Sequence, residues 1–292
     1  ELSEKWNILQ SAMASSERIF RILDTPVTIV DPEPERAVDL SAHSPDARLR
    51  GKIEFDEVSF AYVDKEYVLR NVSFTAEPGQ RIALVGATGS GKTTITNLIP
   101  RFYDVQHGSI RVDDHDVRDY QLDDLRKDIG IVLQDVFLFA GSIEENIKLG
   151  EGDRIPRERV IEVAKQLGAH DFISRLPKGY EQHVMERGLS LSTGQRQLVA
   201  FARALAFDPR ILILDEATAN IDTESEQLVQ SALERLLKER TSIIVAHRLS
   251  TIRSADQILV IHKGEVRERG THQELLDQAG IYARLYQLQY AN

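Results

Sequence analysis

The chain contains no cysteine, which excludes disulfide bridges, thiolate metal sites and a cysteine nucleophile. No uninterrupted apolar run approaches the ~18 residues that argue for a membrane-spanning helix. No Lys/Arg-rich tail occurs, and 36 basic against 46 acidic residues leave a net charge of −10. The electrostatic footprint of a nucleic-acid binder is therefore missing, and no nucleic-acid partner is expected. Residues Glu1–Lys5 show neither the charge pattern nor the apolar stretch of a signal peptide. Internal repeats and low-complexity segments are absent as well. What is present is 292 residues with 42% apolar and 28% charged side chains, a globular composition that excludes wholesale disorder. The length allows one large domain or two small ones. Taken alone, this arithmetic describes a soluble, acidic protein of the cytosol.

The pattern along the chain divides it into three parts. Residues 1–23 read as one amphipathic helix, because Trp6, Leu9, Met13, Phe20 and Leu23 recur at steps of three or four. Pro26 stops that pattern. Residues 24–51 carry four prolines and little apolar content and read as a linker. The compact region is expected from Lys52 onward. There, Ile53–Phe60 and Val68–Phe74 look like strands of a small antiparallel sheet, and Arg81–Val85 like a short buried strand. Ile129–Leu133, Ile211–Leu214, Ser242–Ala246 and Gln257–Ile261 are further apolar strands with helical segments between them. Short apolar runs alternating with helices imply a mainly parallel sheet covered on both faces, an α/β architecture. Residues 142–206 show no convincing strand and read as an inserted α-helical subdomain. Lys263-Gly264 is a hairpin-turn candidate.

Gly86-Ala87-Thr88-Gly89-Ser90-Gly91-Lys92-Thr93 fits G-x-x-x-x-G-K-[ST] and lies after a strand and before a helix. Glycines let successive backbone N–H groups wrap phosphate oxygens, and the helix N-terminus adds a favourable dipole. Gly86, Thr88, Gly89, Ser90 and Gly91 are the candidate cradle. Lys92 is expected to reach the β- and γ-phosphates, Thr93 to coordinate Mg²⁺, and Thr94 to add an α-phosphate contact. The bland alternative is a glycine turn with a solvated lysine, which the strand–loop–helix setting disfavours.

Ile211-Leu212-Ile213-Leu214-Asp215-Glu216 is a run of four apolar residues ending in two acids. A buried parallel strand aims its C-terminal end at the crevice where open α/β sheets bind ligands. Asp215 is thus placed to hold Mg²⁺, and Glu216 to take a proton from an attacking water. An ordinary strand end with exposed acids is the competing reading.

Leu191-Ser192-Thr193-Gly194-Gln195-Arg196-Gln197 resembles the L-S-G-G-Q signature of ATP-binding cassette proteins. Together with the phosphate loop (Walker A) and the acid-ended strand (Walker B), it makes residues 52–292 resemble an ABC nucleotide-binding domain with a P-loop NTPase core. The resemblance implies ATP as substrate, Mg²⁺ as cofactor and ATP hydrolysis as activity. It also makes Gln134 the Q-loop glutamine, Ala219-Asn220-Ile221-Asp222 the D-loop, His247 the switch histidine and Tyr62 the adenine-stacking aromatic. In that reading Gln134 serves catalysis and the metal site and links them to the helical insertion, while His247 contacts the γ-phosphate and the attacking water. Ser192, Gly194 and Gln195, with Asp222, would serve nucleotide held by a second cassette, so that two cassettes sandwich two nucleotides. In isolation Gln134 is a solvated loop residue, His247 a structural histidine, and Asp222 a helix cap; Phe60 competes with Tyr62 for adenine.

Further segments resemble the exporter branch of the family. They are Gln134–Ile147, Glu186-Arg187-Gly188, and Gly270–Leu276 followed by Tyr282–Tyr286. By the same resemblance residues 1–23 correspond to the cytoplasmic end of the last transmembrane helix, so the chain looks like a membrane exporter cut inside that helix. The implied location is the cytoplasmic face of a cell membrane, and the implied partners are a second nucleotide-binding domain and the coupling helices of a transmembrane domain. Thr193 stands where the family usually has glycine, whereas Glu216 is kept. That combination resembles one subunit of heterodimeric exporters with one degenerate site, which makes the second cassette a different subunit. A homodimer tolerating threonine and a soluble, non-transport ABC ATPase are the alternatives, along with a regulatory module that binds ATP without hydrolysing it.

Overall fold

The computed structural model describes residues 1–43, 48–149, 154–215, 223–246 and 248–290. Glu1–Val30 form one compact unit and Asp31–Asn292 a second. In the first, a 22-residue helix spans Leu2–Leu23 with no buried residue. It ends as the sequence leads one to expect. The Asp24 amide donates back to Phe20 O at 2.8 Å, Thr25 Oγ1 donates to Arg21 O at 2.7 Å, and Pro26 follows. Trp6, Leu9, Met13 and Phe20 are all exposed. No helix among the described residues is long and apolar enough to cross a membrane.

Among the described residues the second unit contains twelve strands. In chain order they are β1 (Ile53–Ala61), β2 (Tyr67–Ala76), β3 (Arg81–Val85), β4 (His107–Val112), β5 (His115–Asp116), β6 (Ile129–Val132), β7 (Gly141–Ser142), β8 (His183–Val184), β9 (Ile211–Asp215), β10 (Thr241–Val245), β11 (Gln257–His262) and β12 (Glu265–Gly270). They build a six-stranded sheet in the order β12-β11-β3-β10-β9-β6 and a four-stranded sheet β2-β1-β4-β5. The larger sheet is parallel except at β12, and the smaller is antiparallel throughout. The α/β reading therefore holds. β4 and β5 are strands that apolar patterning did not reveal, and the β7–β8 pair adds a short ladder inside the stretch expected to be wholly helical.

The continuous apolar runs of the parallel strands are explained by burial on both faces. Side chains alternate across a strand, so Ile82 and Leu84, Ile211 and Ile213, Ile243 and Val245 enter one core with the antiparallel sheet and the Lys92–Leu98 helix. Ala83 and Val85, Leu212 and Leu214, and Ile244 enter the other. That second core is shared with the helices Ile143–Lys148, Arg157–Gln166, Thr193–Ala206 and Thr223–Leu237.

Residues 31–51 differ from the linker expected over 24–51. Leu40 and Leu49 are buried in the core with the antiparallel sheet. Asp128, 1% exposed, accepts from Arg48 Nε at 2.8 Å and from the Leu49 amide at 2.9 Å. Asp113 accepts the amides of Arg50, Gly51 and Lys52 at 2.5, 3.0 and 2.9 Å. A proline-rich composition hid these anchors, because the packing rests on two carboxylates some 60 to 80 residues away in sequence.

Candidate nucleotide site

Sheet register decides where the functional segments lie. β10 pairs with both β3 and β9, Val245 standing opposite Leu84 and Asp215, and β6 pairs with β9, Val132 opposite Leu214. The C-terminal ends of four parallel strands thus share one rim, the place where such sheets bind ligands. The phosphate loop leaves β3 at that rim, Asp215 ends β9, and Gln134 follows β6 by two residues. Glu216, Asp222 and His247 lie outside the described residues, as do the other D-loop positions 219–221.

Within the loop the glycines answer different demands. Gly86 must be small: a Cβ there would stand 2.2 Å from Ile261 O of β11. Gly91 has φ +108° at the start of the Lys92–Leu98 helix, a conformation side chains disfavour. The neighbouring hairpin supports the loop, since the Gly264 amide donates to Ser90 O at 3.0 Å. Lys263 and Gly264, with φ of 51° and 81°, turn β11 into β12 as a two-residue hairpin of the kind their sequence suggested. Lys92 is 7% exposed, and its Nζ donates to Gly86 O at 2.9 Å and Ala87 O at 3.0 Å. Burial lowers its pKa below the ordinary lysine value, and the charge of Asp215 opposes that shift. Ser90 Oγ is buried without a hydrogen-bond partner among the described residues. Thr88, Gly89 and Thr93 are exposed at the mouth of the loop, and Thr94 is buried behind it.

Of the two aromatics weighed for adenine, Phe60 is 2% exposed in the core, and Tyr62 is 46% exposed. Tyr62 is fixed on three sides. Its hydroxyl donates to Thr94 Oγ1 at 3.2 Å, and its ring stands edge-on to Phe60 and Tyr103. Gln106 holds the preceding residue, pairing with both the N–H and the C=O of Ala61. The site therefore offers an exposed ring beside an anion loop.

Ser192, Gly194 and Gln195 belong to a separate feature, the N-terminus of the Thr193–Ala206 helix. Ser192 Oγ accepts the Gln195 amide at 3.2 Å, and Gln195 Oε1 accepts the Ser192 amide at 3.0 Å, a reciprocal cap. No hydrogen bond among the described residues joins these three to the phosphate loop. Thr193 is in helical conformation, so the left-handed backbone that would penalise threonine is not present. Its Oγ1 accepts from Arg196 Nη2 at 3.1 Å.

Two residues that sequence reasoning passed over tie these parts together. Arg203, on the Thr193–Ala206 helix, donates to Asn146 O at 2.8 Å and Phe137 O at 3.0 Å. Asn146 in turn closes a ring with Phe139, accepting its amide at 2.8 Å and donating to its carbonyl at 2.9 Å. The segment after Gln134 is thereby bound to the helix carrying Ser192, leaving Phe137 and Phe139 on the surface. The available signal was a single arginine inside the apolar run Leu198–Ala206.

Comparison with known proteins gives a consistent picture. The family model "ABC transporter" matches residues 69–219. The chain is 47% identical over 281 residues to the "Probable multidrug resistance ABC transporter ATP-binding/permease protein YheH" of Bacillus subtilis (strain 168), covering 96% of this chain and 40% of that protein. It is 48% identical over 284 residues to the ATP-dependent lipid A-core flippase of Syntrophus aciditrophicus (strain SB), covering 97% of this chain and 46% of that one. The chain spans about half the length of the curated relatives it matches. Among solved structures, it is similar to a bacterial Atm1-family ABC exporter with ATP bound, at TM-score 0.84 and 39% identity over 98% of this chain and 49% of that one.

Proposed function

The chain belongs to the ABC transporter family, and on that premise we propose that it is the ATP-binding and ATP-hydrolysing domain of an exporter, acting at the cytoplasmic face of a cell membrane. The carrying observation is the shared rim, where a buried lysine, an anion-cradling loop and a strand-end carboxylate meet. Tyr62 stacks the adenine. Gly86, Thr88, Gly89, Ser90, Gly91 and Lys92 hold the phosphates, with Thr94 on the α-phosphate. The donor set suits Mg²⁺: the exposed Thr93 hydroxyl, the Asp215 carboxylate and Gln134 offer hard oxygens. Among the described residues no cluster of three or more carboxylates and histidines could hold a metal alone, and Mg²⁺ at phosphates needs only one or two protein ligands. That ion would neutralise charge developing on the phosphates. Glu216 acts as general base, with His247 on the γ-phosphate and Gln134 reporting its presence to the helical subdomain.

The helix cap at Ser192, Gly194 and Gln195, together with Asp222, serves the nucleotide of a second cassette. ATP binding closes the pair, and hydrolysis reopens it. Residues 1–23 correspond to the cytoplasmic end of the last transmembrane helix of such exporters, and the loop Glu186-Arg187-Gly188 lies near the coupling helices. The relatives named above, an ATP-dependent flippase and a multidrug resistance protein, support an exporting rather than a soluble role. The second cassette is a different subunit. Thr193 supports this, because its Cβ and hydroxyl crowd an N-terminus that glycine would leave open.

The test is Glu216→Gln in the full-length protein. ATP binding should persist, the dimer should be trapped closed, and turnover should fall by about 10²–10⁴; unchanged turnover refutes the base assignment. Purification of the full-length protein from its native membrane tests the partner. A single subunit species with two equally active sites establishes the homodimer instead.

A further inference from the structure

A small cavity lies between the Thr193–Ala206 helix, the Thr223–Leu237 helix and the ends of β6 and β9. Its polar wall is Gln197, Gln230, Asp215 and Arg248, and Phe201 and Leu214 are among the apolar residues opposite. Gln197 Oε1 and Gln230 Oε1 are both buried, and neither has a hydrogen-bond partner among the described residues. Leaving such an acceptor unpaired costs about 1–3 kcal/mol, and native proteins rarely do so. A water has two hydrogens, so one water in this cavity is enough to donate to both acceptors. The cavity measures about 20 Å³, and one water needs about 10–15 Å³ by the same measure. A metal cation would also satisfy two amide oxygens and a carboxylate. It is disfavoured by the Arg248 guanidinium on the same wall, whose charge is anchored there by Glu226 at 3.3 Å.

We propose that Gln197 and Gln230 are positioning residues that share one buried water, and that this joint ties the Ser192-capped helix to the Thr223–Leu237 helix across the cavity that Asp215 also lines. Gln197 lies little more than one turn into the helix from Ser192, so a shift of that cap carries Gln197 with it. Gln230 belongs to the next helix in the chain after β9. A water hydrogen-bonded to both passes the displacement to the Thr223–Leu237 helix, which borders the same cavity as Asp215. Engagement of the capped helix by a second cassette is thereby felt at the metal-binding carboxylate of the chain's own site. This rests on the ATPase reading above.

The test uses the full-length protein with Gln197→Met, Gln230→Met and the double variant. Methionine keeps the length of the side chain and removes its acceptor. Displacements of 1 Å cost up to about 10²-fold in rate, so each single change should lower kcat about tenfold with KM for ATP within about twofold. Because both remove the same water, the double variant should fall no further than the worse single one. Parent-level kcat in the singles, or a double effect equal to the product of the two, overturns the proposal. Thermal unfolding of the same set reads the sharing without hydrolysis: the shifts should be non-additive, and additive shifts also overturn it. A parent protein that hydrolyses no ATP refutes the functional reading, while the unfolding cycle still decides the shared water.

Discussion

Replacing Lys92 with methionine separates what the lysine does for nucleotide from what it does for the fold. The Lys92 ammonium is buried and, among the described residues, bonded to the loop carbonyls of Gly86 and Ala87, and burial lowers its pKa. The folded loop therefore disfavours the very charge it holds. Methionine has a similar length and no such cost. The carbonyl of Ala87, an exposed residue, can turn to water. Without nucleotide, Lys92→Met should leave the melting temperature unchanged or slightly higher. With nucleotide the balance reverses. Hydrogen bonds to charged groups are worth about 1.5–3 kcal/mol each, so losing two to the β- and γ-phosphates weakens ATP by about 3–6 kcal/mol, or roughly 10²–10⁴ in Kd. At ATP 100 times the parent's Kd, binding stabilises the parent by about 2.7 kcal/mol, and a 10²-fold weaker variant by only about 0.4 kcal/mol. Thermal unfolding with and without Mg-ATP measures both. A variant with the parent's full ATP-induced shift refutes the phosphate role, and one that unfolds far earlier without ATP refutes the argument about burial.

Leu49→Ala should destabilise the second unit by about 2–5 kcal/mol, because Leu49 is 2% exposed in the core beside the antiparallel sheet; a loss below about 1 kcal/mol in denaturant unfolding would show that residues 31–51 are not part of the folded body. Asp208 offers a pH prediction. Burial raises its pKa, but hydrogen bonds from Arg240 and Arg48 outweigh that and hold it below the ordinary value of 3.8. A depressed carboxyl stabilises at pH above its unfolded value and loses that contribution as pH falls through the folded value. Asp208→Asn should therefore lower stability at pH 7, by less than about 1 kcal/mol given the exposure of Asp208, and the gap should close as pH falls through the depressed folded value, below 3.8. A gap that persists in acid refutes the ion-pair account.

The elements read correctly from sequence are those whose pattern is set locally. Ile211–Asp215 shows its burial in four consecutive apolar residues, and Gly86–Thr93 its turn chemistry in the glycines themselves. β4 was hidden because His107-Gly108-Ser109-Ile110-Arg111-Val112 offers only Ile110 and Val112 as apolar signal, and pairing with β1 makes it a strand. The wrapping of residues 31–51 was hidden for a related reason. Its anchors, Asp113 and Asp128, look like ordinary surface acids until Arg48 and the amides of residues 49–52 reach them. Long-range polar contacts leave no periodic trace in a sequence.

Thr193 shows how conformation narrows an inference that residue identity leaves broad. Glycine is required where φ is positive or where a Cβ meets a wall. Thr193 meets neither demand of the backbone, for it is the first residue of a regular helix whose cap is already formed by Ser192 and Gln195. Its hydroxyl is held by Arg196, which also binds Leu191 O at 2.8 Å, so threonine is accommodated without strain. What distinguishes it from glycine is access: a Cβ and an oxygen stand beside the amides that an incoming anion must reach. Exchange to glycine should accordingly act on the nucleotide held by the partner cassette and leave the fold of this chain untouched. On the heterodimer proposed above, the partner's site would be weakened by what stands at its entrance, while the helix dipole behind it remains intact.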